Sequence, residues 1–100
     1  MSLDLLFPNE WLVRGAQRNV LAAFYQAPAG ALTYAEIIAL TCPAAKPESQ
    51  TVISRRHVRE LRAKLNPIGV QINSRWGEGY EMPSASREII RNAIEKRLAA

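Results

Sequence analysis

The stretch Gln50-Thr51-Val52-Ile53-Ser54-Arg55-Arg56-His57-Val58-Arg59-Glu60-Leu61-Arg62-Ala63-Lys64-Leu65 decides how the rest of the chain is read. On a 3.6-residue wheel Ser54, Val58, Leu61 and Leu65 fall in one narrow arc, the pattern of a helix with a single buried stripe. Arg56, Arg59 and Ala63 lie opposite, with Arg55 and Glu60 beside them. Arg62 flanks the core arc near the far end. The helix is expected over Gln50 to about Asn66, where Asn66-Pro67 and Gly69 stop it. Five cations stand in the ten residues from Arg55 to Lys64 against the one carboxylate of Glu60, a local +4. The whole chain has 13 Lys+Arg, 9 Asp+Glu and a net charge of +4, so this segment equals the excess of the entire molecule. A field of that sign attracts polyanions. An ordinary solvated face is the plainer reading, but such faces balance Lys against Glu, whereas Arg suits phosphate and guanine.

Outward from this helix, Pro43 to Ser49 reads as a loop with two prolines. Before it, Thr33 and Glu36 have the spacing of a capping box, which opens a short helix from Tyr34 to about Cys42. That helix is apolar on most sides (Tyr34, Ile37, Ile38, Leu40, Cys42), as suits an element packed between others. Ala31-Leu32 just ahead fits a short strand. The first helix is expected from about Asn9 to Ala27, stopped by Pro28-Ala29-Gly30. Its core stripe is Leu12, Ala16, Val20, Ala23, Phe24 and Ala27. Trp11, Arg14, Arg18 and Tyr25 fall on the other side. The two aromatics there either mark a partner surface or are covered by another helix of the same chain, and the second reading is preferred.

Downstream, Val70-Gln71-Ile72-Asn73 alternates as a half-buried strand does. Trp76-Gly77-Glu78-Gly79-Tyr80 reads as a tight turn entering a second strand toward Met82. Together they make a hairpin directly after the basic helix. Pro83-Ser84 breaks the chain. Ser86 is expected to cap a last helix running to about Leu98, with Ile89, Ile90, Ala93 and Ile94 on one side.

At 100 residues the chain is read as one domain, with its core at about residues 9–82 and an extra helix at about 86–99. With 48% hydrophobic and 22% charged residues it has a soluble globular composition. The longest apolar run, Val20–Tyr25, is too short to cross a membrane. No leader sequence is visible: Asp4 stands where a basic segment belongs, and Pro8 closes the apolar run. The expected location is cytoplasmic. Cys42 is alone, which rules out a disulfide scaffold, and one Cys with one His cannot complete a zinc site. The carboxylates are scattered, with no Ser-His-Asp, metal-ligand or phosphate-loop pattern. Neither an enzyme nor a cofactor is expected.

A short helix, a connection and a basic helix form the helix-turn-helix arrangement, whose second helix enters the major groove of DNA. A hairpin just downstream completes the winged-helix plan. The fold class expected is therefore α+β, mostly helical: a three-helix core, a β-hairpin wing and one additional C-terminal helix.

The run His57-Val58-Arg59-Glu60-Leu61-Arg62-Ala63-Lys64-Leu65, then Ile72, then Gly77-Glu78-Gly79-Tyr80, resembles the effector domain of OmpR/PhoB-type response regulators. That family has a His-Ile pair, a Leu-Arg-x-Lys-Leu run closing the recognition helix, and Gly-x-Gly-Tyr in the wing. The resemblance spans about Thr33 to Met82. It implies a winged helix that binds double-stranded DNA and regulates transcription. In some relatives the loop matching Pro43–Ser49 touches RNA polymerase, which makes the polymerase a second candidate partner. This chain departs from the family at three places. Trp76 stands where the family has Arg before the first wing glycine, and Arg75 comes one residue earlier, on the opposite strand face. Ser54 replaces an apolar residue. A short Met1–Pro8 lead stands in place of the receiver domain and N-terminal sheet. The expectation is a stand-alone regulator of bacterial or phage type.

Roles follow from placement. Ser49, Gln50 and Thr51 open the recognition helix, where side chains and free amides meet phosphates or base edges. Arg55, Arg56 and Arg59 are the candidates for base readout, since Arg pairs bidentately with guanine. Arg62 and Lys64 are assigned to the phosphate backbone, and Thr33 and Tyr34 to a phosphate at the start of the preceding helix. Arg75 lies in the wing. Trp76 either meets the groove wall or closes the hairpin over the core. Tyr80 is read as core, and His57 as packing or a phosphate contact. Four to six phosphate contacts would give a log–log salt slope of about −4 to −5. A protein-interaction adapter using Trp11, Tyr25 and the last helix is the competing reading, and a homodimer with two recognition helices about one DNA turn apart is a variant of the first.

Overall fold

Ser54, Val58, Leu61 and Leu65 are all fully buried. The helix that carries them, α3 (Gln50–Leu65), lies against α1 (Gly15–Gln26) and α2 (Tyr34–Thr41). The computed structural model describes residues 7–99; most of the Met1–Pro8 lead, and Ala100, lie outside the described residues. The other elements are β1 (Ala31–Thr33), β2 (Asn73–Arg75), β3 (Gly79–Glu81) and α4 (Ser84–Ala99). The chain is thus α+β and mostly helical, with one antiparallel three-stranded sheet in the order β1-β3-β2. One apolar core joins Val20, Leu21 and Phe24 of α1, Ile37 of α2, the α3 stripe, Tyr80 and Met82, and Ile90 and Ile94 of α4.

The capping box forms as expected. Glu36 N–H donates to Thr33 Oγ1 at 3.1 Å, and Thr33 N–H donates to Glu36 Oε1 at 2.9 Å. The other end of α2 stops one residue short of Cys42, which adopts a non-helical conformation (φ −148°, ψ 71°) ahead of Pro43.

The first helix begins later than its periodicity implies. Asn9–Trp11 is a single 3-10 turn, Leu12 is left-handed at φ 57°, and α1 starts only at Gly15. Leu12 therefore leaves the core stripe and is 57% exposed, while Trp11 is buried with its ring 6.2 Å from Phe7. The exchange has a physical reason. Burying a Trp removes about 150–250 Å² from water, worth roughly 4–6 kcal/mol, against about 1–2 kcal/mol for a non-glycine residue in the left-handed region. Arg97 of α4 fastens this lead by donating to the carbonyl of Phe7 and, at 3.1 Å, to Asn9 Oδ1. Trp11 is thus covered within the chain, as the preferred reading of that helix side expects, and does not present a partner surface. Tyr25 is half-buried and packs on the core.

The hairpin is shifted along the sequence. Val70 and Ile72 are buried and Gln71 is exposed, so the alternation is real, but the paired strand begins only at Asn73. Side chains take the place of a ladder. Gln71 N–H donates to Ser86 Oγ at 2.8 Å, and the Ile72 carbonyl accepts from Arg62. Ser86 is consequently a buried tie in the first turns of α4, which starts two residues earlier at Ser84, and not its cap. The two wing glycines have different causes. Gly77 supplies the positive φ (74°) that the turn needs, whereas a Cβ on Gly79 would lie 2.1 Å from the Leu32 carbonyl oxygen. The second keeps β1 and β3 close enough to pair.

Candidate nucleic-acid interface

Because α3 buries one narrow stripe, its opposite side must face water. Val52, Arg55, Arg56 and Arg59 all lie there exposed. They form one wall of an open groove of ≈ 550 Å³ whose other side carries Ser74 of β2 and Tyr80 of β3. Val52, 68% exposed, is the member that the sequence reading missed. Its signal was present, since an apolar residue off the core arc of an amphipathic helix has no fold reason to be there.

The three arginines are not neutralised from within. Among the described residues the ion pairs are Arg75–Glu78 and Arg91–Glu88. Glu60, the carboxylate closest to them in sequence, turns toward α1 and accepts from Gln17 Nε2 at 2.9 Å. A cationic wall without a carboxylate partner among the described residues attracts a phosphate polyanion, and displacing the cations condensed on that polyanion is what drives such binding.

Arg62 and Lys64, assigned to the phosphate backbone, are occupied inside the molecule. Arg62 bridges the groove. Its Nε and Nη2 donate to the Ile72 carbonyl at 2.8 and 2.6 Å, and Nη2 reaches Ser74 Oγ at 3.3 Å. Its guanidinium carbon stands 5.5 Å from the centre of the Tyr80 ring. Lys64 Nζ donates to the Leu12 carbonyl at 2.9 Å and to Gln17 Oε1 at 2.7 Å. Both side chains hold neighbouring segments onto α3, so neither is placed as a free phosphate contact.

Tyr80 is core, as expected, with Tyr34 edge-on to it at 5.8 Å. Burial pushes the Tyr80 phenol above its usual pKa and Tyr34 adds to this, while Arg62 and Arg55 pull it back. Tyr34 also ties the start of α2 to the wing, its N–H donating to the Glu78 carbonyl at 3.2 Å. Its own carbonyl accepts from Ser54 Oγ at 3.5 Å, which gives the buried hydroxyl of α3 a partner. Thr33 is exposed, and its hydroxyl is used by the cap. Ser49 makes no side-chain cap; it ends a 3-10 turn, Pro47–Ser49, that runs straight into α3. Ser49, Gln50 and Thr51 are half-buried at that end.

His57 Nδ1 is buried without a partner, and burial together with the Arg56 charge holds the imidazole below its usual pKa, with Glu60 opposing. At the tip of the β2–β3 hairpin Arg75 pairs with Glu78 at 3.0 Å, both exposed. Trp76 is 97% exposed, so it does not close the hairpin over the core. Among the described residues no group of three or more His, Cys, Asp or Glu is placed to hold a metal ion, and no helix is long and apolar enough to cross a membrane. Set against protein-family models, the curated proteins and the solved structures, the chain matches none of them.

Proposed function

We propose that residues 9–82 form a winged helix-turn-helix domain that binds double-stranded DNA sequence-specifically and regulates transcription. In this reading α2 and α3 are the helix pair, α3 is the recognition helix and the β2–β3 hairpin is the wing. One observation carries it: Arg55, Arg56 and Arg59 project from the outer side of an anchored helix with no carboxylate against them among the described residues. Arg is the side chain that pairs bidentately with guanine O6 and N7 in the major groove, and an α-helix is the element that fits there. The burial of Trp11 takes away the main anchor of the adapter reading.

The test is a selection of bound duplexes from a random pool at moderate salt, followed by affinity measurements on the winner. A guanine-containing consensus is expected, and a palindrome in it would mark two copies on one site. The double variant Arg56→Gln/Arg59→Gln should lose about 2–6 kcal/mol of binding, from two bidentate contacts at roughly 1–3 kcal/mol each. It should keep its fold, because both positions are on the surface. With Arg62 and Lys64 engaged internally, the slope of log K against log salt should be shallower than the sequence suggests, about −2 to −3. Binding that ignores salt, or a pool that enriches nothing, would defeat the proposal.

A further inference from the structure

A tryptophan left 97% exposed in a chain that buries its other tryptophan calls for a cause. Trp76 sits at the apex of the wing, in the turn between β2 and β3. The hairpin beneath it is firmly rooted. β3 pairs with both β1 and β2, Gly79 lets β1 approach closely, and Glu78 accepts from Tyr34. The ring is therefore held out on a braced support. Ser74, two residues before it, lines the arginine groove and meets Arg62 of α3. Two residues of extended chain span about 7 Å, so the backbone of Trp76 stands within that distance of the groove's Ser74 edge. Arg75 beside it is paired with Glu78, which leaves the aromatic ring as the unpaired feature of the tip.

From this we infer that Trp76 is a wedge that inserts between base pairs of the bound duplex and kinks it, so that the wing selects a flexible pyrimidine–purine step. The inference rests on the DNA-binding reading and deepens it by naming what the wing recognises. The occupant follows from charge and shape together. A wall of guanidiniums with no carboxylate against them among the described residues attracts a polyanion, and within a nucleic acid the apolar surface open to a flat aromatic side chain is the face of a base. Apolar side chains that enter the minor groove unstack base steps and bend DNA by about 20–90°. TA and CA/TG steps are the easiest to open. Selectivity would then arise at a position that no hydrogen bond reads.

The full chain tests this directly, with the duplex selected from the random pool as the probe. Trp11 is buried and acts as the internal reference. Duplex addition should quench wild-type tryptophan emission and leave that of Trp76→Phe, which retains only Trp11, nearly unchanged. End-to-end energy transfer on the labelled duplex should report a bend with wild type that Trp76→Ala abolishes, with about a tenfold loss of affinity. A pool selected by Trp76→Ala should keep the guanines and lose the flexible step. Since the ring packs on nothing, the variant's unfolding midpoint should match wild type. If Trp76→Ala bends the duplex equally and selects the same sequence, the wedge is overturned while the arginine reading stands. If wild type binds no duplex, both fall. If the same sequence binds more tightly as an unpaired strand, the wedge is replaced by a stacking platform.

Discussion

Arg59 and Arg62 are one helical turn apart on α3 and carry the same guanidinium, yet their surroundings are opposite. Arg59 is exposed with no carboxylate against it, whereas Arg62 donates twice to the Ile72 carbonyl and lies over Tyr80. Lys64 follows Arg62, engaged by Leu12 and Gln17. The basic run thus divides into two regions. Its first half faces outward across the groove. Its second half ties α3 to the chain entering β2 and to the segment ahead of α1. Charge density alone does not separate them. Angular distance from the buried stripe separates Arg56 and Arg59, which lie far round the helix, from Arg62 and Lys64, which border the stripe within reach of carbonyls from neighbouring segments; Arg55 is as near to the stripe as Lys64 and reaches Tyr80 from the exposed side.

The comparison breaks most visibly if the two arginines are replaced by the same residue. Methionine keeps much of the apolar stem and removes the charge and donors. Arg62→Met leaves the Ile72 carbonyl without its donors beside a buried side chain and should destabilise the fold by about 2–3 kcal/mol. Arg59→Met should change stability by no more than about 0.5 kcal/mol, as exposed positions do, while weakening duplex binding. Urea denaturation of the pair measures the contrast. Equal midpoints would show that the two halves of the run are not distinct.

Much of this was legible in the residues. The α3 stripe, the capping box, the core position of Tyr80 and the outward Arg55, Arg56 and Arg59 all follow from short-range periodicity, which one helix or one turn enforces by itself. The misses share a different origin. The helix reads back to Asn9 because Pro8-Asn9-Glu10 has the form of an opening signal and Leu12 fits the wheel; no local rule says that Trp11 and Phe7 gain more by folding inward. The strand was placed at Val70–Asn73 because the alternation is real, but Arg62 and Ser86, distant in sequence, take the hydrogen bonds that a partner strand would have used. Ser86 looked like a cap for the same reason, since a hydroxyl two residues into a helix was not expected to reach Gln71. At the site, sequence could rank the cations by number but could not tell which had partners across the fold. Trp11 is covered within the chain, as the preferred reading has it, whereas Trp76, for which closing the hairpin is an equal alternative in the sequence, is bare.

A smaller effect sharpens the second half of the run. Lys64→Met removes donors from the Leu12 carbonyl and Gln17 Oε1 in a half-buried setting and should cost about 1 kcal/mol. The change should be local as well as global. The stretch around Leu12 leads from the turn that buries Trp11 into α1, so its loosening should raise the accessibility of Trp11 to a small quencher when Trp76 is replaced by Phe. The salt slope of duplex binding should stay the same in Lys64→Met, because this ammonium is not offered to phosphate. A slope reduced by about one unit would move Lys64 back among the DNA contacts.

The smallest effect concerns His57, which lies in the first half of the run but turns partly inward beside the core. Its imidazole is held below the ordinary value of 6.5 chiefly by burial, then by Arg56, with Glu60 opposing. In the unfolded chain the ring takes up its proton near the ordinary value; in the folded protein it does so only at lower pH. Between those two points the unfolded state binds more protons, so stability rises with pH there. The contribution is complete above about pH 6.5 and is lost as pH falls through the folded pKa. His57→Gln carries no such proton and should flatten that part of the profile. Urea midpoints at about pH 5 and about pH 7.5, compared between wild type and variant, isolate the term from the carboxylates that both proteins share. An identical pH response in the two would mean that the buried Nδ1 is accommodated without penalty when protonated, and that the arginine beside it leaves α3 indifferent to pH.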